Sequence, residues 1–133
     1  DLWTSTQIAA VALAFDLSPI QTAQARHSAQ AIREGDAAWV WDVNLIAWHA
    51  NEAPLNIAGQ QRRIDRLVQR SDTQTWWVLD YKSTADPLRD AQYRAQLNNY
   101  RSAVQKNTPG QCVKAAFLTP QGRLIELMEL NEY

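Results

Sequence analysis

Two apolar runs of this 133-residue chain carry charge where a core strand should be bare. The run "RRIDRLVQR" holds Asp65 among apolar neighbours, and "TWWVLDYK" closes on Asp80, Tyr81 and Lys82 directly after the apolar residues 76–79. Burying a charge costs on the order of several kcal/mol unless it is paired or binds a metal. Residues two apart on a strand share a face, so Asp80 and Lys82 should point one way and Tyr81 the other. A short turn would bring Asp65 alongside them, and Glu52 sits on the run before that. Three carboxylates and one lysine are thus expected at one edge of a sheet. Hard cations such as Mg²⁺ take oxygen ligands, usually a few carboxylates with waters completing the shell. A metal so held polarises a phosphodiester and lowers the pKa of a bound water, while a lysine steadies the developing negative charge. An isolated Asp-x-Lys is ordinarily a solvated ion pair worth little; the combination carries the reading.

The elements that must position these groups follow from the hydrophobic pattern. Ser5 or Thr6 can cap a helix through "QIAAVALAF", and Ser18-Pro19 starts a second that Gly35 ends. Asp36 can cap a short third helix through "AAWVWD". Extended runs follow: "LIAWHANEAPLNIA", "RRIDRLVQR" and "TWWVLDYK", with turns at Gly59 and at residues 71–74. Asp86-Pro87 reads as the cap of a helix on which Tyr93, Leu97, Tyr100 and Val104 recur at helical spacing up to "NTPG". The tail reads as a hairpin, "QCVKAAFLT" and "RLIELMEL" about a turn at "PQG". Helices, three strands, a helix and two strands predict an α/β (α+β) domain, a mixed central sheet flanked by helices.

Length and composition fit one domain, 1–133, with 46% hydrophobic and 20% charged residues. No apolar run approaches the roughly 20 residues of a membrane span. The only cysteine, Cys112, excludes an internal disulfide and any all-cysteine metal or iron–sulfur site, and a reducing cytoplasm is the natural setting. The chain starts at Asp1 with no signal-peptide pattern after it, so a piece of a longer polypeptide is expected. A net charge of −1 excludes a polycation that coats nucleic acid. Arg62, Arg63, Arg66 and Arg70 nevertheless crowd one stretch whose only acid is Asp65, and the first three are candidate contacts to DNA phosphates.

The order "RRIDRLV", "WWVLDYKS", "AQLNNY" resembles the successive motifs of the RecB-type nuclease domain in the PD-(D/E)XK superfamily. Such domains form the C-terminal part of the helicase–nucleases of exonuclease V and AddA type, which process DNA double-strand breaks. The similarity runs from about Ser18 to the end and is most specific between Gln60 and Tyr100. It implies a restriction-endonuclease-like core and a bacterial, Mg²⁺-dependent deoxyribonuclease, with Mn²⁺ as an alternative, acting in repair and recombination beside helicase motor domains. It implies Asp65 and Asp80 as metal ligands, the Tyr81 carbonyl as a further one, and Glu52 as an acid placed before the first metal strand. Lys82 matches the catalytic lysine, and Gln96 and Tyr100 match "QxxxY", four apart on one helical face. Arg62 stands where the family usually has glycine. The family's histidine ligand from an earlier helix matches neither His27 nor His49, which places it upstream of Asp1 and leaves the isolated chain with little expected activity. The rival class is a catalytically inactive nuclease fold that binds DNA or braces a helicase.

Trp39, Trp41, Trp48, Trp76 and Trp77 read as core or docking residues, with stacking on single-stranded bases as the alternative. Cys112 reads as a small buried hydrophobe on a strand.

Overall fold

A computed structural model describes residues 31 and 34–128. Strands β1 (Ile46–Ile57) and β2 (Gln60–Arg70) form a long antiparallel hairpin. Its two-residue turn has positive φ at both positions, 51° at Ala58 and 80° at Gly59. That is the turn whose twist matches the strands it joins, and the Asn56 side chain accepts the Gly59 N–H at 3.1 Å. β3 (Trp76–Tyr81) pairs antiparallel with β2, β4 (Val113–Leu118) pairs parallel with β3, and β5 (Leu124–Glu126) closes antiparallel on β4. The sheet order is β1-β2-β3-β4-β5, a mixed sheet as the pattern of runs predicts. A parallel step needs a crossover, and helix α1 (Ala91–Asn107) supplies it.

Helix α1 buries Leu97, Tyr100 and Val104, spaced three and four apart, in one cluster with Val78, Ala115 and Phe117 of the central strands. Ala53, Leu55 and Ile64 of the hairpin join the same cluster. Removing a side chain such as that of the fully buried Phe117 would cost about 3–5 kcal/mol. The opposite face of the sheet presents Val68, Leu79, Ala116 and Leu118 to Ala37 and Val40, the latter on a short 3₁₀ turn, Ala38–Trp41. Among the described residues, no helix is long and apolar enough to cross a membrane.

Three local expectations give way. Asp86-Pro87 opens a 3₁₀ turn, Pro87–Arg89, and Asp86 pairs with Arg89 at 2.9 Å. The cap of α1 is Asp90, whose carboxylate accepts the Gln92 and Tyr93 N–H groups at 2.8 and 3.2 Å. Those are two of the donors that a helix start leaves orphaned. Asp36 caps nothing; its carboxylate accepts the Leu124 N–H at 2.7 Å and ties the 3₁₀ turn to β5. Cys112 is exposed in the loop before β4, where only its carbonyl is used, by the Trp76 N–H. The helices expected over "QIAAVALAF" and after Ser18-Pro19, and with them His27, lie outside the described residues.

Gly35 does more than mark a helix end. A Cβ there would lie 2.1 Å from the carbonyl oxygen of Gly122, and the Ala37 N–H donates to that oxygen at 3.2 Å. Backbone therefore meets backbone where the 3₁₀ turn docks on the β4–β5 connection. Gly35→Ala should destabilise the fold by about 2 kcal/mol, in the range of overpacked sites. Urea unfolding checks this; an unchanged midpoint would show that the two segments can separate without cost.

Candidate active site

The register between β2 and β3 covers Arg66↔Leu79 to Gln69↔Trp76 and then stops. Beyond it the hairpin runs on with β1 and β2 paired only to each other through residues 60–64. At the fork where β2 leaves β3, the Asp65 carboxylate accepts the Tyr81 N–H at 2.9 Å. Asp65 thereby comes to rest against Asp80, whose side chain shares the α1 side of β3 with Val78. Asp80 is 6% exposed. One of its oxygens, Oδ2, is buried and lies 3.2 Å from the Lys82 ammonium.

Two carboxylates so close and so buried cannot both ionise cheaply. Burial, then the hydrogen bond and charge of Asp80, push the Asp65 carboxyl up to about 7, against the opposing Tyr81 N–H and the Lys82 charge. Lys82 is itself enclosed, with its ammonium 4.2 Å from the centre of the Tyr93 ring on the first turn of α1. One turn further on, the Gln96 amide donates to the Tyr100 hydroxyl at 3.2 Å. Tyr100 is buried and its pKa is raised, by burial first and then by the charge of Asp80. The charge of the exposed Arg62 acts on Tyr100 in the opposite sense. The structure thus brings Asp65, Asp80 and Lys82 together beside Tyr100 of α1, with the exposed Gln96 reaching the group through Tyr100.

The other candidates stand apart. Glu52 has φ 53°, interrupts the β1–β2 register opposite Asp65, and turns an exposed carboxylate toward Arg63 at 3.9 Å. Among the described residues no three His, Cys, Asp or Glu side chains meet as a metal-binding group, so the expected third carboxylate is not in the cluster. The Tyr81 side chain lies on the far face, stacked on Trp41 at 6.4 Å. Burial raises its pKa well above the ordinary phenol value. Arg66 corrects the arginine patch. It is 4% exposed, donating from Nε and Nη2 to the Val40 carbonyl and from Nη1 to Asn51, and it presents nothing to a phosphate. Arg70 is held by Asp72 through two hydrogen bonds. Arg62 and Arg63 alone remain exposed on the hairpin. His49 is exposed on β1. Trp39 meets Trp77 and Trp48 meets Trp76 edge-on, at 5.4 and 5.5 Å, with Trp48 the most exposed of the five.

Tyr93 and Asp90 were not singled out by their types or spacing. The signal for Tyr93 was its place in the helical stripe three residues before Gln96, which reads equally well as core.

The donor set suits a divalent cation. Two adjacent carboxylates face the single positive charge of Lys82, one charge short of what would let both ionise. A sequence profile of the PD-(D/E)XK nuclease superfamily matches residues 4–131, and the chain belongs to that superfamily. A search of curated proteins finds no match.

Asp65 sets a pH dependence. Its folded pKa lies above the unfolded one, so its contribution favours the fold only while it is protonated, fully below about 3.8, and is lost as pH rises through about 7. Asp65→Asn keeps an acceptor for Tyr81 and removes the charge. Without metal, it should melt above the parent at pH 8 by about 5 °C, roughly 2 kcal/mol after discounting for solvent access, with a smaller gap at pH 5. Calorimetry at the two pH values checks this; a gap that does not widen with pH would mean the carboxylates do not repel.

Proposed function

We propose that this chain is a metal-dependent deoxyribonuclease domain that hydrolyses phosphodiester bonds within a bacterial helicase–nuclease of exonuclease V or AddA type, in double-strand break repair and recombination. The observation that carries the reading is the pairing of the half-buried Asp65 with the buried Asp80, with Lys82 against it. A domain that only binds or braces has no use for two like charges held together at the cost of stability. The helicase linkage rests on the motif order "RRIDRLV", "WWVLDYKS", "AQLNNY".

Asp65 and Asp80 would hold the ion, Mg²⁺ or Mn²⁺, and superfamily members are typically metal-dependent nucleases. The Tyr81 carbonyl is a further candidate ligand and Glu52 an outlying one. When bound, such an ion polarises the phosphodiester and makes a bound water more acidic. The protein's own groups do the rest. The Tyr81 N–H fixes the orientation of the Asp65 carboxylate. Lys82 carries the positive charge that faces the growing negative charge on phosphate. Gln96 spends an amide hydrogen on Tyr100 and keeps its carbonyl oxygen free to accept from a water or a sugar hydroxyl. Arg62 and Arg63, at the start of β2 and outside the enclosed cluster, would take adjacent phosphates.

Asp80→Ala should abolish cutting of labelled single-stranded DNA in Mg²⁺ or Mn²⁺, and should also abolish the rise in melting temperature that the metal produces. Lys82→Ala should keep that rise but lose about 100-fold in turnover, as when one charge-stabilising group is removed. An Asp80→Ala protein that cuts at the parent rate would refute the assignment. A parent that binds metal and DNA yet never cuts would favour the scaffold class.

The two arginines are tested through salt. Replacing Arg62 and Arg63 by Ala should weaken DNA binding across sequences and flatten the dependence of log K on log salt by roughly 1 to 2. Arg66→Met should leave that slope unchanged while lowering stability. Fluorescence anisotropy between low and moderate salt checks both; an effect of Arg66 on the slope would overturn its placement.

A further inference from the structure

We propose that Tyr93 is the positioning residue for Lys82, holding the ammonium in place when the carboxylates are occupied; this rests on the nuclease reading above. Lys82 follows the last residue of β3 and precedes the bend at residues 83–85, so the sheet grips only its backbone, through the Lys82 N–H on the Leu118 carbonyl at 3.0 Å. Its side chain is a flexible four-carbon stem with a point charge at the end. Two contacts fix that charge: the Asp80 carboxylate at 3.2 Å and the face of the Tyr93 ring at 4.2 Å.

These contacts respond differently to a divalent ion. An ion held by Asp80 would draw on the charge of that carboxylate, so the ion pair with Lys82 would weaken. The ring offers a quadrupole and no ligand atom at its face, so it does not compete. Tyr93 is well placed to persist. Its N–H is held by the Asp90 cap at 3.2 Å, and its ring leans at 52° on Phe117, 6.4 Å away and fully buried. Gln96 and Tyr100 continue the same face of the helix, so one capped turn sets the lysine and the polar pair together.

The ring face, rather than the hydroxyl, is the active feature, and two substitutions separate them. Tyr93→Phe keeps the face, while Tyr93→Leu keeps apolar bulk without it. The first readout needs no catalysis. The ε-methylene protons of Lys82, assigned with Lys82→Arg, should resonate upfield of their usual position by ring current in the parent and in Tyr93→Phe, with and without Mg²⁺, and should return to it in Tyr93→Leu. The second is turnover of single-stranded DNA at saturating Mg²⁺. Tyr93→Leu should lose about 10-fold in kcat with KM and the Mg²⁺ midpoint changed by less than about 2-fold, and Tyr93→Phe should stay within about 2-fold of the parent. Unshifted Lys82 methylenes in the parent, parent-like turnover in Tyr93→Leu, or an equal loss in Tyr93→Phe would each overturn the proposal. If the whole helicase–nuclease shows no Asp80-dependent cutting, the nuclease reading fails, and the methylene shifts still decide whether Tyr93 holds Lys82.

Discussion

Two carboxylates share one buried notch, and their repulsion is the constraint around which the site is arranged. The notch exists because the β2–β3 ladder stops at Arg66↔Leu79. Had it continued, the Tyr81 N–H would face a backbone carbonyl and Asp65 would have no reason to turn inward. Instead a charged side chain stands in for a ladder partner, at 2.9 Å. A backbone donor stabilises the ionised form of Asp65, but burial and Asp80 outweigh it, since the carboxyl is pushed up to about 7. A protein selected for stability alone would fill that fork with apolar or neutral hydrogen-bonding groups. Strain retained at one spot in an otherwise well-packed sheet points to a ligand that relieves it.

The surroundings make the notch rigid from both faces. On one side α1 is pinned by Leu97, Tyr100 and Val104 and started by the Asp90 cap, so its first three turns carry Tyr93, Gln96 and Tyr100 on one face. On the other side Arg66 uses three nitrogens to bind the Val40 carbonyl and Asn51. That links β2, the residue before the left-handed Glu52 and the 3₁₀ turn whose Trp41 stacks on Tyr81. Asp65 and Arg66, adjacent in sequence, thus divide the labour: one faces the site and its neighbour clamps the back of the same strand.

Much of this was legible from residues 60–100. Alternation put Asp80 and Lys82 on one face, and the apolar runs gave the three strands and the helix that carries Gln96 and Tyr100. The failures share a cause, which is that local pattern cannot see a tertiary partner. Asp86-Pro87 and Asp90 are equally good caps by type, and only the fold decides that Asp86 pairs with Arg89. Four clustered arginines look alike, yet the pleat sends Arg66 inward to a carbonyl 26 residues away in sequence. Glu52 lies on the strand that should bring it beside Asp65, but its φ of 53° breaks the alternation on which that expectation depends. Tyr93 was visible only as one more apolar position in a stripe.

On the nuclease reading, the hairpin would connect this notch to a long polyanion despite a net charge of −1. Overall charge governs long-range attraction, whereas contact with a phosphate is set within about 10 Å, the range left by salt screening. Within that range β2 is the organising element. At about 3.3 Å per residue, Arg63 and Arg62 lie roughly 7 and 10 Å along the strand from Asp65, and the Arg62 cation already acts on Tyr100. On the nuclease reading, the groups that would grip the backbone and one that would hold the metal are then separated by a single rigid strand, itself fixed in register by β1 through Pro54↔Arg63 and Leu55↔Arg62. On that reading, binding and cleavage would be spaced by strand geometry rather than by a loop, and the distance between a gripped phosphate and the cut one would be built into the sheet. A shift of one residue in the β1–β2 register would turn Asp65 away from Tyr81 and bring Arg66 out of its clamp together.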